Sequence, residues 1–166
     1  MSGGPLEGVR VVDLTSVVVG PLATQILADH GAEIIKVESM AGDLVRQLNG
    51  KSVTPGMGAK FLHLNRNKRS VALDLKHADG MEALRRLIAK ADVMVWNVRP
   101  AAMARLGLSY DDVKKINPKI IYCGLYGFGQ DGRYKDKPAY DTIIQGASGM
   151  AALHHRSTGE PRYVPM

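Results

Sequence analysis

The feature that most constrains this chain is an alternation: short apolar runs, each followed by a segment with helical spacing. Residues 9–14 form a valine-rich run, the pattern of a strand buried on both faces of a parallel sheet. Gly20 and Pro21 then open a helical pattern that places Leu22, Ala23, Ile26 and Leu27 on one face, with Pro21 tolerated in the first turn and Gly31 closing it. Further strands are predicted over 33–38, 70–75, 93–97 and 119–126. Helices are predicted over 79–91, where Asp79 and Glu82 have capping-box spacing, and over 101–106, 109–117 and 140–153. Residues 39–69 have glycines and no clear period, so they read as an irregular surface excursion of the kind that carries binding residues. Such alternation predicts an α/β fold, a parallel sheet with helices on both faces and ligand sites outside the carboxyl ends of the strands.

Composition narrows the function. A chain of 166 residues allows one ordinary domain, and 45% hydrophobic against 23% charged residues is a globular balance. No apolar run reaches the roughly 20 residues of a membrane span, and the opening MSGGPLEGVR lacks the marks of a secretory signal, so the expectation is a cytoplasmic protein with no membrane partner. The single Cys123 excludes a disulfide framework and a multi-cysteine zinc site, and reads as a small buried thiol. His154 and His155 are adjacent and would point about 100° apart on a helix, while His30 and His63 lack a spaced partner, so no metal site is expected. Lysine and arginine exceed acidic residues by 22 to 16, a net charge of +6 that favours an anionic partner. Aromatic residues make up only 5% and form no stripe among the basic ones, which points to a small polyanion rather than nucleic acid.

Several residues invite chemistry. Gly127, Gly129 and Gly132 match the dinucleotide fingerprint after a predicted strand, but the Lys137-Pro138 step that follows cannot open the required helix. Glycines supplying unusual backbone angles in a turn are the stronger reading, and such a turn can still offer N–H groups to an anion. The run Asn65-Arg66-Asn67-Lys68-Arg69 reads as solvated surface, or with Arg99 and Arg105 as phosphate-binding cations. Asp13 and Glu38 end predicted strands and Asp74 lies in one, near the edge where sites form. Asp141 opens a helix, where its charge suits the dipole.

Three blocks taken together go further: PLEGVRVVDLTSVVVGPLATQILADHGAEIIKVES over 5–39, FLHLNRNKRSVALDLKHADG over 61–80, and NVRPAAMARLGLSYDDVKKINPKIIYCGLYGFGQDGRYKDKPAYDTIIQGASG over 97–149. In order and spacing the chain resembles the family III CoA-transferases, the CaiB/BaiF family of formyl-CoA transferase, carnitine CoA-transferase and alpha-methylacyl-CoA racemase. The resemblance implies that residues 1–166 are a single Rossmann-like CoA-binding domain, incomplete at its carboxyl end, from enzymes that form interlocked homodimers. It implies coenzyme A or acyl-CoA as substrate, with no permanently bound cofactor, and a carboxylic acid as acceptor. Contacts to coenzyme A are implied at Val18 and Val19, at Leu73, Asp74, Leu75 and Lys76, at Asn97, Val98 and Arg99, and at Arg105. Lys137, Pro138, Ala139, Tyr140 and Asp141 are implied to lie by the thioester.

In the family's transferases a carboxylate attacks the acyl-CoA thioester and forms an aspartyl anhydride, which the released thiolate and the acceptor acid convert into exchanged products. The resemblance implies that this aspartate lies shortly beyond Met166, past the segment matching GEPRYVPM, so the 166 residues alone are expected to be inactive. Three positions depart from relatives. Val18 replaces a glutamine of the formyl-CoA transferases, Tyr140 replaces a histidine base of the racemases, and Ser39 replaces an arginine set against the adenine. A phenol with a pKa of about 10 is a poor base at neutral pH, which favours transferase over racemase. The alternatives are an isomerase of the racemase branch and a noncatalytic CoA-binding fragment.

Overall fold

The computed structural model describes residues 3–48 and 52–164 and forms two compact units, Met1–Leu125 and Tyr126–Met166. In the first unit the strands are β1 (Arg10–Leu14), β2 (Glu33–Glu38), β3 (Lys68–Ala72), β4 (Val93–Trp96) and β5 (Ile121–Gly124). They make one sheet in the order β3-β2-β1-β4-β5, with every pair parallel. The helices of this unit are α1 (Val19–Asp29), α2 (Ala59–Asn65), α3 (Ala78–Ile88), α4 (Pro100–Arg105) and α5 (Tyr110–Ile116). Fold class and strand alternation are therefore as the sequence predicts.

Side chains alternate across a strand, so neighbouring residues of β1 enter different cores. Val11 joins Ala28, Ile34 and Val95 beneath α1, while Val12 and Leu14 join Met94 and Trp96 against Leu84 and Ile88 of α3, Met103 of α4 and Val113 of α5. Both faces of β1 are thereby closed around Val11, Val12 and Leu14. On the α1 face the character changes along the strands: apolar Val11 and Ile34 give way, two residues later, to Asp13 and Lys36. The carboxyl edge of this face is thus charged and buried, while its amino end is hydrocarbon.

The strand order reverses at β1, whose neighbours β2 and β4 are reached by connections that run in opposite directions along the sheet. Open α/β sheets leave a crevice at the carboxyl ends on either side of such a point.

Several boundaries differ from expectation, each for a local reason. The stretch 39–69 is not wholly irregular: it holds a 3-10 turn (Leu44–Arg46) and α2, and residues 49–51 of it lie outside the described residues. α2 buries Phe61 and Leu64, and the guanidinium carbon of Arg46 lies 3.8 Å from the Phe61 ring centroid, a tertiary contact that no local period announces. β3 begins at Lys68 and ends at Ala72, so Asp74 lies in the following loop rather than in a strand. The expected capping box of α3 does not form. His77 caps the helix by accepting the Asp79 N–H at 3.3 Å, and Glu82 pairs instead with Arg86 at 3.0 Å.

In the second unit, the helix expected over 140–153 is two helices, α6 (Asp141–Ala147) and α7 (Met150–Thr158), divided at Gly149, whose φ of +80° suits only glycine well. None of Gly127, Gly129 and Gly132 has a φ in the left-handed region, contrary to the expectation of unusual backbone angles. At Gly127 the reason for glycine is space: a Cβ there would lie 2.0 Å from Cβ of Ala139. Among the described residues no helix is long and apolar enough to cross a membrane, and no cluster of three or more His, Cys, Asp or Glu side chains could hold a metal ion.

Candidate functional site

The crevice is a cavity of about 760 Å³ in the first unit, lined by residues 14–17 from the end of β1 onward, 36–44 from the last residues of β2 into the loop beyond, and 73–76 after β3, together with Val98 and Leu106. Two loops that meet at the switch point are clasped by one side chain. Asn97 Oδ1 accepts the Ser16 N–H at 3.0 Å, and its Nδ2 donates to the Ser16 carbonyl at 2.8 Å. The Asn97 amide is thus committed to fixing the loop after β1.

Buried charge fixes the rest. Lys36 Nζ donates to Asp43 Oδ2 at 3.0 Å and to the Thr15 carbonyl at 2.8 Å, and the two charged side chains are each 1% exposed. Asp43 Oδ1 accepts the N–H groups of Val17 at 3.2 Å and Val45 at 3.1 Å. Next to this pair, Glu38 takes Arg46 in a fork, at 2.7 Å from Nε and 2.6 Å from Nη2, and accepts the Ser70 hydroxyl at 2.5 Å and the Asp43 N–H at 2.8 Å. Burial works to raise the Glu38 carboxyl, but these hydrogen bonds and the guanidinium charge outweigh it and bring its pKa from 4.5 down to about 2. The hydrogen bonds to Glu38, with burial opposing and the Glu38 charge assisting, in turn raise the pKa of Arg46.

Beneath the start of α1, Asp13 is fully buried and accepts from Thr15 N at 2.9 Å, the Thr15 hydroxyl at 2.5 Å, the Thr24 hydroxyl at 2.6 Å and Lys68 Nζ at 3.1 Å. Burial lowers the Lys68 pKa, and the Asp13 charge opposes that shift. The basic run 65–69 is therefore not simply solvated surface, because Lys68 turns inward with its side chain 1% exposed. Asp13 and Glu38, noted in the sequence for their place at strand ends, are both saturated by internal donors and serve the architecture.

Of the residues singled out in the sequence, Leu73, Asp74, Leu75, Lys76 and Val98 come together in the cavity wall. Val18 and Val19 follow Val17 into the first turn of α1, with Val19 66% exposed. Arg99 precedes α4 and Arg105 ends it, both exposed. In the second unit, Lys137 Nζ lies 4.2 Å from the Tyr134 ring centroid, Tyr140 is 73% exposed, and Asp141 accepts from Gln145 at 2.8 Å. Gln145 also binds both backbone groups of Val164, at 2.9 and 2.7 Å. Pro138 and Ala139 are exposed.

Sequence reading missed Val17, Lys36 and Asp43. The available signal was Lys36 itself, a charge in the middle of the strand EIIKVE on the same face as Ile34.

Residues 6–166 match the family described as CoA-transferase family III. A succinate–glutarate CoA-transferase of Agrobacterium fabrum is 41% identical over 98% of this chain and 41% of its own length. A formyl-CoA:oxalate CoA-transferase of Streptomyces avermitilis is 42% identical over 94% of this chain and 38% of its own. Among solved structures, a CaiB/BaiF family protein from Brucella suis superposes with a TM-score of 0.92 at 38% identity, over 99% of this chain and 44% of that one. The chain thus spans about two fifths of the length of these relatives. With the sheet order, the family match and these relatives in agreement, the chain belongs to CoA-transferase family III.

Proposed function

We propose that this chain carries the coenzyme A-binding part of an acyl-CoA:carboxylate CoA-transferase. The observation that carries the reading is the switch-point cavity. Three segments that the resemblance connects with coenzyme A, at 18–19, 73–76 and 97–99, follow strands of one sheet at its carboxyl edge, and two of them, through 73–76 and Val98, contribute residues to one cavity of about 760 Å³. Lys76, Arg99 and Arg105 are exposed cations on that edge or on the helix that leaves it, suited to the phosphates of the nucleotide. The apolar wall of Leu14, Val37, Leu73 and Leu75 suits the less polar parts of the same ligand.

In this reading the reaction is acyl transfer through an aspartyl anhydride. A carboxylate attacks the thioester carbonyl and releases the CoA thiolate. The acceptor carboxylate then attacks the aspartyl carbonyl of that anhydride, expels the donor as its free carboxylate and forms a second anhydride, and the thiolate attacks the acceptor's carbonyl to give the new thioester and restore the aspartate. The attacking aspartate implied by the resemblance is not among residues 1–166, so the 166-residue chain holds coenzyme A without turnover. Tyr140 stands where the resemblance places a histidine base in the racemases, which favours transferase over racemase chemistry. The reading keeps a carboxylic acid acceptor, a homodimer and a cytoplasmic location as parts of the same proposal.

Titration calorimetry of the 166-residue chain with coenzyme A tests it, with one binding event expected and no CoA exchange between an acyl-CoA and a free acid. A folded chain that binds no coenzyme A, or one that washes deuterium into the α-position of an acyl-CoA, would overturn it.

A further inference from the structure

The loop after β1 contains a conformation that stereochemistry opposes. Val17 has a φ of +71°, and Asn67, at +62°, is the other non-glycine residue with positive φ among those described. Asparagine tolerates the left-handed region, whereas a β-branched residue there is an outlier that persists only when its surroundings over-determine it. At Val17 the surroundings do so from two sides. Asn97 holds both backbone groups of the preceding Ser16, and Asp43, from the loop after β2, accepts the N–H of Val17 itself. Lys36 joins the same two loops, bridging Asp43 and the Thr15 carbonyl. Asp43 is in turn fixed through its own N–H by Glu38, which Arg46 holds.

Asp43 and Lys36 lie at the cavity floor, yet their side chains are 1% exposed and their polar atoms face each other and the backbone. They shape the cavity without offering a ligand a free polar group. We propose that Asp43, with Lys36 as its buried countercharge, is a positioning residue: it locks Val17 in the left-handed conformation, sets the wall that residues 15–17 give the cavity, and so governs affinity for the ligand without touching it. The role in affinity rests on the coenzyme A reading above. The lock on Val17 does not.

The test compares two doubly substituted chains that differ in one acceptor. Lys36→Met with Asp43→Asn keeps a side-chain oxygen for the Val17 N–H, and Lys36→Met with Asp43→Ala removes it. Neither leaves a lone charge buried, so both are expected to fold. Calorimetry with coenzyme A and amide hydrogen exchange at Val17 are the readouts. The Asn form should bind within about threefold of the unaltered chain, while the Ala form binds roughly tenfold more weakly and its Val17 amide exchanges roughly tenfold faster. Adding Val17→Gly to the Ala form should return its affinity to within about threefold of the unaltered chain, because glycine holds this φ without strain. A merely structural role for Asp43 predicts no such rescue. Equal affinity or equal Val17 exchange in the Asn and Ala forms would overturn the proposal. If the unaltered chain binds no coenzyme A, the function proposed for the cavity fails, and the Val17 exchange comparison alone decides whether Asp43 holds the loop.

Discussion

Two lysines on neighbouring strands are buried to the same degree, yet their partners differ in kind. Lys68 of β3 donates among Asp13 Oδ2, the Pro21 carbonyl, the Thr24 hydroxyl and Asn65 Oδ1, at 2.7 to 3.1 Å, and so joins β1, α1 and α2 to its own strand. Lys36 of β2 joins two loops, through Asp43 and Thr15. A buried ammonium without a countercharge costs several kcal/mol, so each lysine obliges the chain to deliver a carboxylate. For Lys68 that carboxylate is 55 residues away, and for Lys36 it is 7. The first pair can form only when the sheet and α1 are assembled. The second closes a local loop against the carboxyl edge. One pair therefore belongs to the scaffold and the other to the wall of the cavity.

The sharpest way to break this comparison is Asp13→Ala. It leaves Lys68 without a carboxylate and takes the acceptor from two buried threonine hydroxyls, so the expected loss is about 3–5 kcal/mol of folding free energy. Urea unfolding measures it, and adding Lys68→Met should recover part of the loss by removing the stranded charge. A chain that tolerated Asp13→Ala with less than about 1 kcal/mol of loss would erase the distinction between scaffold pair and wall pair.

The sheet was readable because buried parallel strands keep their apolar signature: 33–38 is β2 to the residue, and β1 and β4 differ from the reading by one residue at one end. β3 was harder, for it lies at the edge of the sheet and begins with Lys68 and Arg69, which look like a surface charge run. α2 offered only seven residues and two buried apolar positions, too short for a period to emerge. In the cavity wall, 73–76 and Val98 were reached through the family resemblance. Val17, Lys36 and Asp43 were not, since nothing in a valine marks a positive φ and the partner of a buried lysine is chosen by the fold. The second unit shows the same limit: the pairing of Gln145 with Val164 is invisible in sequence.

Acid separates the two pairs further, because Glu38 backs only the second one through the Asp43 N–H. Its folded pKa of about 2 lies below the ordinary 4.5, so between those values the unfolded chain holds more protons than the folded one. The contribution is complete above about pH 4.5 and is lost as the pH falls toward 2, amounting to on the order of 3 kcal/mol at most. Urea unfolding from pH 5 to pH 2 should therefore lose more stability in the unaltered chain than in Glu38→Gln, and exchange at residues 43–46 should rise before exchange in β1. Parallel pH profiles for the two chains would remove Glu38 from the account.

The smallest effect is the most discriminating, since its sign opposes the usual consequence of substitution. Val17→Gly removes the side chain of a residue that is 41% exposed and so gives up only part of a valine's burial. It also relieves a left-handed conformation that costs an L-residue about 1–2 kcal/mol. Against that stands the greater freedom of glycine in the unfolded chain, about 0.5–1 kcal/mol. The balance is a chain as stable as the original or more stable by up to about 1 kcal/mol, read as an unchanged or raised urea midpoint. Any clear destabilisation would mean that Val17 is held by packing of its side chain rather than by Asp43 and Asn97 acting on the backbone. The wall of the cavity would then rest on hydrocarbon contact, and the contrast between the two lysine pairs would lose its meaning for the site.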